Sequence, residues 1–215
     1  MSFYMVAKFL TGIVLHLNGA RVIGKENIPQ DKSLVIISNH TSFGDPPAVS
    51  YAFDRPITYI AKEEFAKNIF TKLLFGAGGV IFLKAKDSEL TAMRTAINTL
   101  KEGKTICIFP EGKRNFDQKM TEFKPGAAYI AYRAGVKVIP VAVINAGDYW
   151  RFWRRNIIIN VGEPIILDKN TKLDQAYLDH YNEVFEQKVK ELFAENKAII
   201  TKEGKKMRKV PRKHR

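Results

Sequence analysis

The sequence predicts an α/β domain in which a largely parallel, mixed central sheet is flanked by helices. Short apolar runs typical of strands alternate with helical patterns along the chain, as they do in proteins built on parallel sheets. The chain has 215 residues, of which 46% are hydrophobic, and this is enough for one domain with a sizeable core. Its mean hydropathy of -0.19 argues against disorder.

Five apolar segments predict the strands of this sheet. They are short and rich in β-branched residues, which is typical of strands that are buried on both faces. They span residues 34–38, 57–61, 80–84, 105–109 and 138–144. Residues 157–161 predict a further strand at an edge of the sheet, closed by Gly162 and Pro164.

Helical patterns lie between and after these strands. An apolar stripe at helical spacing precedes the fourth strand and consists of Leu90, Met93, Ile97 and Leu100. Asp87 or Ser88 is expected to cap the start of this helix, and Gly103 its end. Residues 127–134 predict another helix, and residues 173–198 predict a long final helix with one face toward the core.

The first residues of the chain predict an interfacial helix over residues 1–20. Its apolar run, 3–17, is shorter than the ~20 residues that a membrane span needs, and it lacks the features of a secretory signal. Apolar residues recur at helical spacing in Phe3, Val6, Leu10, Ile13, Val14 and Leu17, and Lys8 is expected to reach the headgroups. A core helix docked on the domain is the alternative.

The formal net charge of +13 indicates an anionic partner, which is a nucleic acid, a membrane surface or a phosphorylated substrate. Much of this charge lies in a basic tail, 201–215, in which eight Lys and Arg residues face Glu203 as the one acidic residue. A disordered, solvated extension explains the tail equally well. Residues 21–200 are left as the main domain.

The chemistry of the single cysteine and of three scattered histidines is limited. One cysteine excludes an internal disulfide and fits a reducing compartment. Cys107 lies in an apolar strand, which predicts a small buried residue and not a thiolate nucleophile. His16, His180 and His214 lack the spacing of metal ligands, so no metal site is expected.

The most informative motif comes directly after the first strand. The segment 38–45 places His40 and Asp45 five residues apart, with Gly44 allowing the chain to turn back. Asp45 is expected to hold one ring nitrogen of His40 while the other faces a substrate as a general base. A local cap or a surface hydrogen bond is the alternative for this pair.

A second polar motif, 109–114, follows the fourth strand and contains Glu111, Gly112, Lys113 and Arg114. Gly112 lets the backbone approach a ligand closely, and the two cations are suited to binding a phosphate. Strand ends meet at one edge of an open α/β sheet, so the two motifs are expected to lie together. A polar turn with solvated cations is the alternative.

Taken in order, segments 39–45, 109–114 and 138–141 resemble three blocks of the glycerolipid acyltransferase family, most closely its 1-acylglycerol-3-phosphate acyltransferases. Residues 21–29 are similar to the family's segment before its first core strand, and the resemblance covers roughly residues 20–145. The segment 79–86 resembles the family's second block, but Ala85 stands where an acceptor-binding arginine is usual. Lys84 or Lys86 is expected to take that role.

The resemblance implies a glycerol-3-phosphate acyltransferase-like fold and a transfer reaction. An acyl thioester, on coenzyme A or acyl carrier protein, would acylate the sn-2 hydroxyl of lysophosphatidic acid and give phosphatidic acid. No cofactor beyond this donor is expected, and the enzyme is expected to lie peripherally on the cytoplasmic face of an anionic membrane.

Roles for the second motif follow from the same resemblance. Lys113 and Arg114, with Lys84 or Lys86, would hold the acceptor phosphate, Gly112 would admit it, and Lys124 would add a contact. For Glu111 the resemblance implies acceptor binding or loop holding, while an ion pair with a neighbouring cation is the alternative. The apolar segment 65–74 lines an acyl groove or, more ordinarily, packs in the core.

Three rival interpretations stay open from the sequence. The acceptor is glycerol 3-phosphate or another lysolipid instead of lysophosphatidic acid. A hydrolase would use Ser38 or Ser42 with His40 and Asp45, although a Gly-x-Ser-x-Gly elbow is missing. A non-catalytic module would bind anionic lipid or RNA through the aromatic and arginine residues of 149–155. Under the favoured acyltransferase interpretation, no nucleic acid partner is expected.

Overall fold

A seven-stranded sheet forms the centre of the computed structural model, which describes residues 3–62, 80–83, 89–115, 120–148 and 156–205. In chain order the strands are β1 (Arg21–Ile23), β2 (Val35–Ser38), β3 (Ile57–Lys62), β4 (Val80–Leu83), β5 (Thr105–Ile108), β6 (Val138–Ile144) and β7 (Ile158–Val161). The α-helices of the described residues are α1 (Phe3–Leu17), α2 (Asp45–Ala52), α3 (Glu89–Lys101), α4 (Gly126–Ala134) and α5 (Gln175–Lys202).

The order of the strands across the sheet is β1-β7-β6-β2-β5-β3-β4. Every neighbouring pair is parallel except β6 and β7, which confirms the predicted largely parallel, mixed sheet. The prediction that 157–161 forms an edge strand is wrong, because β7 lies between β1 and β6. The short strand β1 pairs in parallel with β7 and occupies that edge instead.

Helices cover both faces of the sheet, which explains why its central strands are almost entirely apolar. Alternate residues of β2 point to opposite faces: Val35 and Ile37 join a core with α3, α4 and α5, and Ile36, with Leu34 just before the strand, joins a core with α1 and α2. All residues of β2, β6 and β7 are buried. The sheet is therefore the middle of three layers, as expected for strands of this composition.

The predicted helices agree closely with α3, α4 and α5, although α5 continues to Lys202. The helix α2 is an addition to the sequence-based assignment. Pro46 and Pro47 occupy its first turn, where the missing amide hydrogens of proline cost nothing. The helix begins at Asp45, and the two prolines that follow end the preceding turn and form the first turn of the helix.

The N-terminal helix α1 packs on the domain with one face and exposes apolar residues on the other. Leu15 is buried against the core that contains α2, while Phe9, Leu10, Ile13 and Leu17 are exposed. The expectation that Lys8 reaches headgroups is wrong, since its Nζ donates to the carbonyl oxygens of Phe53, at 2.5 Å, and Arg55, at 3.3 Å. The described residues contain no helix that is both long and apolar enough to cross a membrane.

Some sequence predictions concern residues outside the described part of the chain. These are the helix at 65–74, the second-block residues Lys84, Ala85 and Lys86, the caps Asp87 and Ser88, the aromatic and arginine cluster of 149–155, and most of the basic tail, 206–215.

Candidate active site

The two polar motifs leave the sheet side by side. β2 and β5 are neighbouring parallel strands, and Ile37 of one is in register with Ile108 of the other. The chain therefore emerges from both strands at the same edge, and the loops that follow occupy one crevice. The catalytic loop is defined here as residues 39–45, and the cation loop as residues 109–115.

His40 and Asp45 form the expected pair. The Nδ1 atom of His40 lies 3.0 Å from Oδ2 of Asp45, and the Asp45 side chain is fully buried while that of His40 is 18% exposed. A carboxylate accepts a hydrogen bond, so this contact places the proton on Nδ1 and leaves Nε2 as the basic nitrogen. The ring is thus held in the orientation and tautomer that a general base requires.

Asp45 also fixes the shape of the catalytic loop. Its Oδ2 accepts hydrogen bonds from the backbone amides of Thr41, at 2.6 Å, and Ser42, at 2.7 Å. Its Oδ1 accepts the hydroxyl of Ser42 at 3.0 Å. One buried carboxylate therefore sets both the turn and the histidine, and neither can move independently of the other.

Asn39 anchors the start of the catalytic loop to the neighbouring strand β6. Its side-chain amide donates to the carbonyl oxygen of Val143 at 2.9 Å and accepts from the amide of Val143 at 2.8 Å. Asn39 is fully buried, so these bonds satisfy a backbone position that would otherwise lose its partners. Sequence reasoning gave Asn39 no role, although an asparagine directly after an apolar strand is a signal of such an anchor.

The ring of His40 stacks on Phe109, the first residue of the cation loop. The two ring centroids are 4.1 Å apart and the planes differ by 19°. Tyr59 of β3 lies behind Phe109, with centroids 6.3 Å apart. Phe109 therefore covers one face of the imidazole, whereas Asp45 bonds its edge at Nδ1. The sequence motif contained Phe109, but nothing in it indicated this contact.

Glu111 ties the two loops together. Its Oε1 accepts the backbone amide of His40 at 2.8 Å, and its Oε2 accepts the amide of Thr121 at 3.1 Å and the side-chain amide of Asn115. The backbone amide of Asn115 in turn donates to the carbonyl oxygen of His40 at 2.8 Å. Both backbone polar groups of His40 are thus held by the cation loop.

Burial raises the pKa of Glu111, and its hydrogen bonds with His40, Thr121 and Asn115 oppose that rise. The contacts match the loop-holding role that was one of the alternatives for this residue. Sequence reasoning missed Asn115 and Thr121, because a polar residue in a loop gives no sign of the partner that it will meet.

Gly112 adopts a left-handed conformation, with a φ of 67°. A Cβ atom at this position would lie 3.3 Å from Cε and 3.6 Å from Nζ of Lys124, which is a close contact. Glycine therefore suits this position for two reasons: it adopts the left-handed conformation without strain, and it leaves room for the Lys124 side chain. The Lys124 side chain therefore reaches the cation loop. The phosphate contact expected of Lys124 stays a prediction.

The side chain of Arg114 reaches from the cation loop to the catalytic loop. Its guanidinium carbon is 3.6 Å from the centroid of the Phe43 ring, in the middle of the catalytic loop. Burial lowers the pKa of Arg114, and the nearby charge of Asp45 opposes that effect. Lys113 is exposed beside it. The structure thus brings His40, Asp45 and Arg114 into one site.

The serines do not lie where a hydrolase would need them. The hydroxyl of Ser42 donates to Asp45 and accepts from the amide of Gly44, and Ser42 is 2% exposed. Ser38 is fully buried, and its hydroxyl contacts the carbonyl oxygen of Asn39. Both hydroxyls serve the loop itself, which argues against a serine nucleophile activated by His40.

Cys107 is buried in β5, as predicted. Burial raises the pKa of its thiol far above the ordinary range, and the charge of Asp45 adds to this effect. The thiol is therefore kept protonated, and a covalent intermediate on this residue is disfavoured.

At this edge of the sheet a histidine and carboxylate pair, suited to general-base chemistry, lies next to cations suited to binding an anion. The family model described as Acyltransferase matches residues 19–144, and the chain belongs to that family. This confirms the resemblance that the ordered sequence blocks indicated. The protein is an acyltransferase.

Individual relatives agree with this assignment. A 1-acyl-sn-glycerol-3-phosphate acyltransferase of Borreliella burgdorferi is 32% identical over 185 residues, which cover 84% of this chain and 72% of the relative. One of Saccharomyces cerevisiae is 28% identical, with 79% of this chain and 57% of the relative covered. The crystal structure of the 1-acyl-sn-glycerophosphate acyltransferase of Thermotoga maritima superposes with a TM-score of 0.63 at 26% identity, covering 87% of this chain and 81% of that one.

Proposed function

We propose that this protein transfers a fatty acyl group from an acyl thioester to the sn-2 hydroxyl of 1-acylglycerol 3-phosphate, which gives phosphatidic acid. One observation carries the proposal. The backbone of His40 is hydrogen-bonded to the cation loop through both its amide and its carbonyl oxygen. The base and the cations therefore lie at a fixed separation. The names of the relatives support lysophosphatidic acid as the acceptor.

In the proposed reaction, Nε2 of His40 removes the proton from the acceptor hydroxyl as its oxygen attacks the thioester carbonyl. Asp45 stabilises the imidazolium that forms, since its carboxylate already bonds Nδ1. The tetrahedral intermediate then collapses, the carbon–sulfur bond breaks, and the thiolate of the donor takes the proton from His40. Direct attack fits the protonated thiol of Cys107 and the loop-bound hydroxyl of Ser42.

The cations of the site would hold the phosphate of the acceptor. Arg114 offers a planar fork of donors that matches phosphate oxygens, and the exposed Lys113 adds a point charge. Lys124 reaches the same turn through its contact with Gly112. Lys84 or Lys86 of the second block would complete this set. The donor, on coenzyme A or acyl carrier protein, supplies the acyl group, so the reaction needs no further cofactor.

The location that we propose is the cytoplasmic face of a membrane, because the acceptor is a lipid and the single cysteine fits a reducing compartment. The exposed apolar residues of α1 would enter the interface, and the excess of basic residues would favour an anionic surface. Lys8 would contribute by holding α1 to the domain through the end of α2.

The general-base assignment is tested by His40→Ala. We expect kcat to fall by about 10² to 10⁴, the usual contribution of a positioned base, while the protein stays folded by circular dichroism. His180→Ala, at an exposed position on α5, is the matched control and should leave the rate unchanged. A loss of less than about tenfold for His40→Ala would remove His40 from this role.

The acceptor assignment is tested by Arg114→Ala. This variant should raise the KM of the acceptor and leave the KM of the thioester donor unchanged, because the guanidinium would bind only the phosphate. An equal change in both KM values would reject the assignment. Product analysis with lysophosphatidic acid, glycerol 3-phosphate and a phosphate-free monoacylglycerol, each with both thioester donors, then identifies the acceptor and the donor.

A further inference from the structure

Phe43 is an exposed aromatic residue in a loop whose other residues are buried or, for His40, half-buried. Its side chain is 58% exposed, whereas Ser42 and Gly44 on either side are buried and hydrogen-bonded to each other. An exposed ring gains little hydrophobic stabilisation from folding. The loop holds this ring at a fixed place, because the hydrogen bonds of Asp45 fix the backbone on its N-terminal side and α2 begins on its C-terminal side.

The ring lies under the guanidinium of Arg114, with 3.6 Å between the guanidinium carbon and the ring centroid. This distance is well inside the range of about 6 Å over which a cation is attracted to an aromatic face. Stacking engages the face of a guanidinium, whereas its N–H groups donate in the plane. One arginine can therefore stack on a ring and bind an anion at the same time.

A long arginine side chain loses much rotamer freedom when it binds a ligand, and this loss weakens binding. A ring that already holds the guanidinium restricts the arginine side chain in the free enzyme. Less rotamer freedom is then lost when the ligand binds. The ring and the arginine come from different loops, so the contact also depends on the correct relation between the base and the cations.

We infer that Phe43 is a positioning residue that holds Arg114 in place over the catalytic loop, ready for the phosphate of the acceptor. The inference rests on the proposed function, in which Arg114 binds that phosphate. Phe43 would thus tune acceptor affinity from within the segment that carries the general base, without contact with the reacting atoms.

The test compares Phe43→Leu, which keeps apolar bulk and loses the aromatic face, with Phe43→Trp, which keeps the face. Assays use a short-chain, micelle-free 1-acylglycerol 3-phosphate, so that no lipid surface contributes. We expect Phe43→Leu to raise the acceptor KM by about 3- to 10-fold, with kcat and the donor KM within about twofold of wild type. Phe43→Trp should restore the acceptor KM.

A matched control removes another exposed apolar side chain. Ile166 is 70% exposed and follows Ile165, which pairs with Val138 at the opposite end of β6 from the site. Ile166→Ala should leave both KM values unchanged. In an Arg114→Ala background, Phe43→Leu should have no further effect on the acceptor KM, because its partner is gone.

Three results would overturn the inference, and they can be distinguished. If Arg114→Ala raises the acceptor KM and Phe43→Leu does not, the inference fails and the proposed phosphate site stands. If Arg114→Ala leaves the acceptor KM unchanged, the phosphate assignment fails and the inference fails with it. If Phe43→Leu acts equally in both backgrounds and weakens binding to anionic vesicles, Phe43 is a lipid contact instead.

Discussion

Two buried carboxylates in the active site make similar hydrogen bonds and do different work. Asp45 is 0% exposed and Glu111 is 5% exposed, and each accepts backbone amides from the catalytic loop or its neighbours. Asp45 also bonds the ring of His40, whereas Glu111 reaches only the backbone of that residue. Burial and hydrogen bonding therefore do not identify a role in the reaction. The role depends instead on which atom of His40 each carboxylate contacts, the ring nitrogen or the backbone amide.

The largest effect is expected from Asp45→Asn, which replaces one carboxylate oxygen by a donor that faces other donors. Depending on which way the new amide faces, the variant would lose the hydrogen bond that fixes the His40 tautomer or the hydrogen bonds that the backbone amides of the loop donate. We expect kcat to fall by about 10² to 10⁴ with little change in either KM. Asp54→Asn, at an exposed position paired with Lys25, is the control and should keep full activity.

Steady-state kinetics with both substrates would check this prediction. If Asp45→Asn keeps more than about a tenth of the wild-type kcat, the hydrogen bond to the ring contributes little to catalysis. The proposed difference between the two carboxylates would then be wrong.

A smaller effect is expected from Glu111→Gln. The amide would leave Thr121 or the His40 backbone without an acceptor, which costs about 1 to 3 kcal/mol in the free energy of unfolding. We expect kcat to fall by about tenfold or less, since the base would be displaced but still present. Urea denaturation and kinetics together would measure the two effects.

Glu102→Gln serves as its control, because Glu102 is exposed and pairs with Lys104 on the surface. A kcat loss for Glu111→Gln as large as that for Asp45→Asn would mean that Glu111 also acts on the reacting groups. The two carboxylates would then no longer differ in kind.

The smallest effect is a pH dependence. Burial raises the pKa of Glu111 in the folded protein, so above the ordinary value near 4.3 the folded state binds more protons than the unfolded chain. The stabilisation from the protonated carboxyl is therefore complete at low pH and is lost as the pH rises through the folded-state pKa. Glutamine does not titrate, so the stability advantage of wild type over Glu111→Gln should shrink over this range.

Unfolding free energies of the two proteins from about pH 4 to about pH 8 would show this trend, because other groups titrate equally in both. A difference that stays constant with pH would mean that Glu111 has the same pKa in the folded and unfolded states.

The sequence was a good guide wherever one segment decides its own structure. The strand 138–144 was predicted at its observed bounds, because an unbroken apolar run of this length is typical of a strand that is buried on both faces, whatever its partner. The pair of His40 and Asp45 was also predictable, since a five-residue turn brings its own ends together. The edge assignment of 157–161 failed because the partner strand, β1, is too short to show a pattern.

Contacts between distant segments were beyond the sequence. The stacking of Phe109 on His40 and of Arg114 on Phe43 joins segments that are some 70 residues apart in the chain, by their residue numbers. The bond from Glu111 to the His40 amide spans 71 residues. No periodicity or composition encodes such a meeting, because it depends on the order in which the strands pair.

The sequence by itself determined the layered α/β class, the His40 and Asp45 pair and the presence of cations in a second loop, because each follows from local spacing and residue chemistry. The tertiary structure alone decided which contacts join the two loops, namely the bond from the His40 amide to Glu111 and the stacking of Arg114 on Phe43. The physical reason is the parallel pairing of β2 with β5, which sends two loops that are remote in the chain out of the same edge of the sheet.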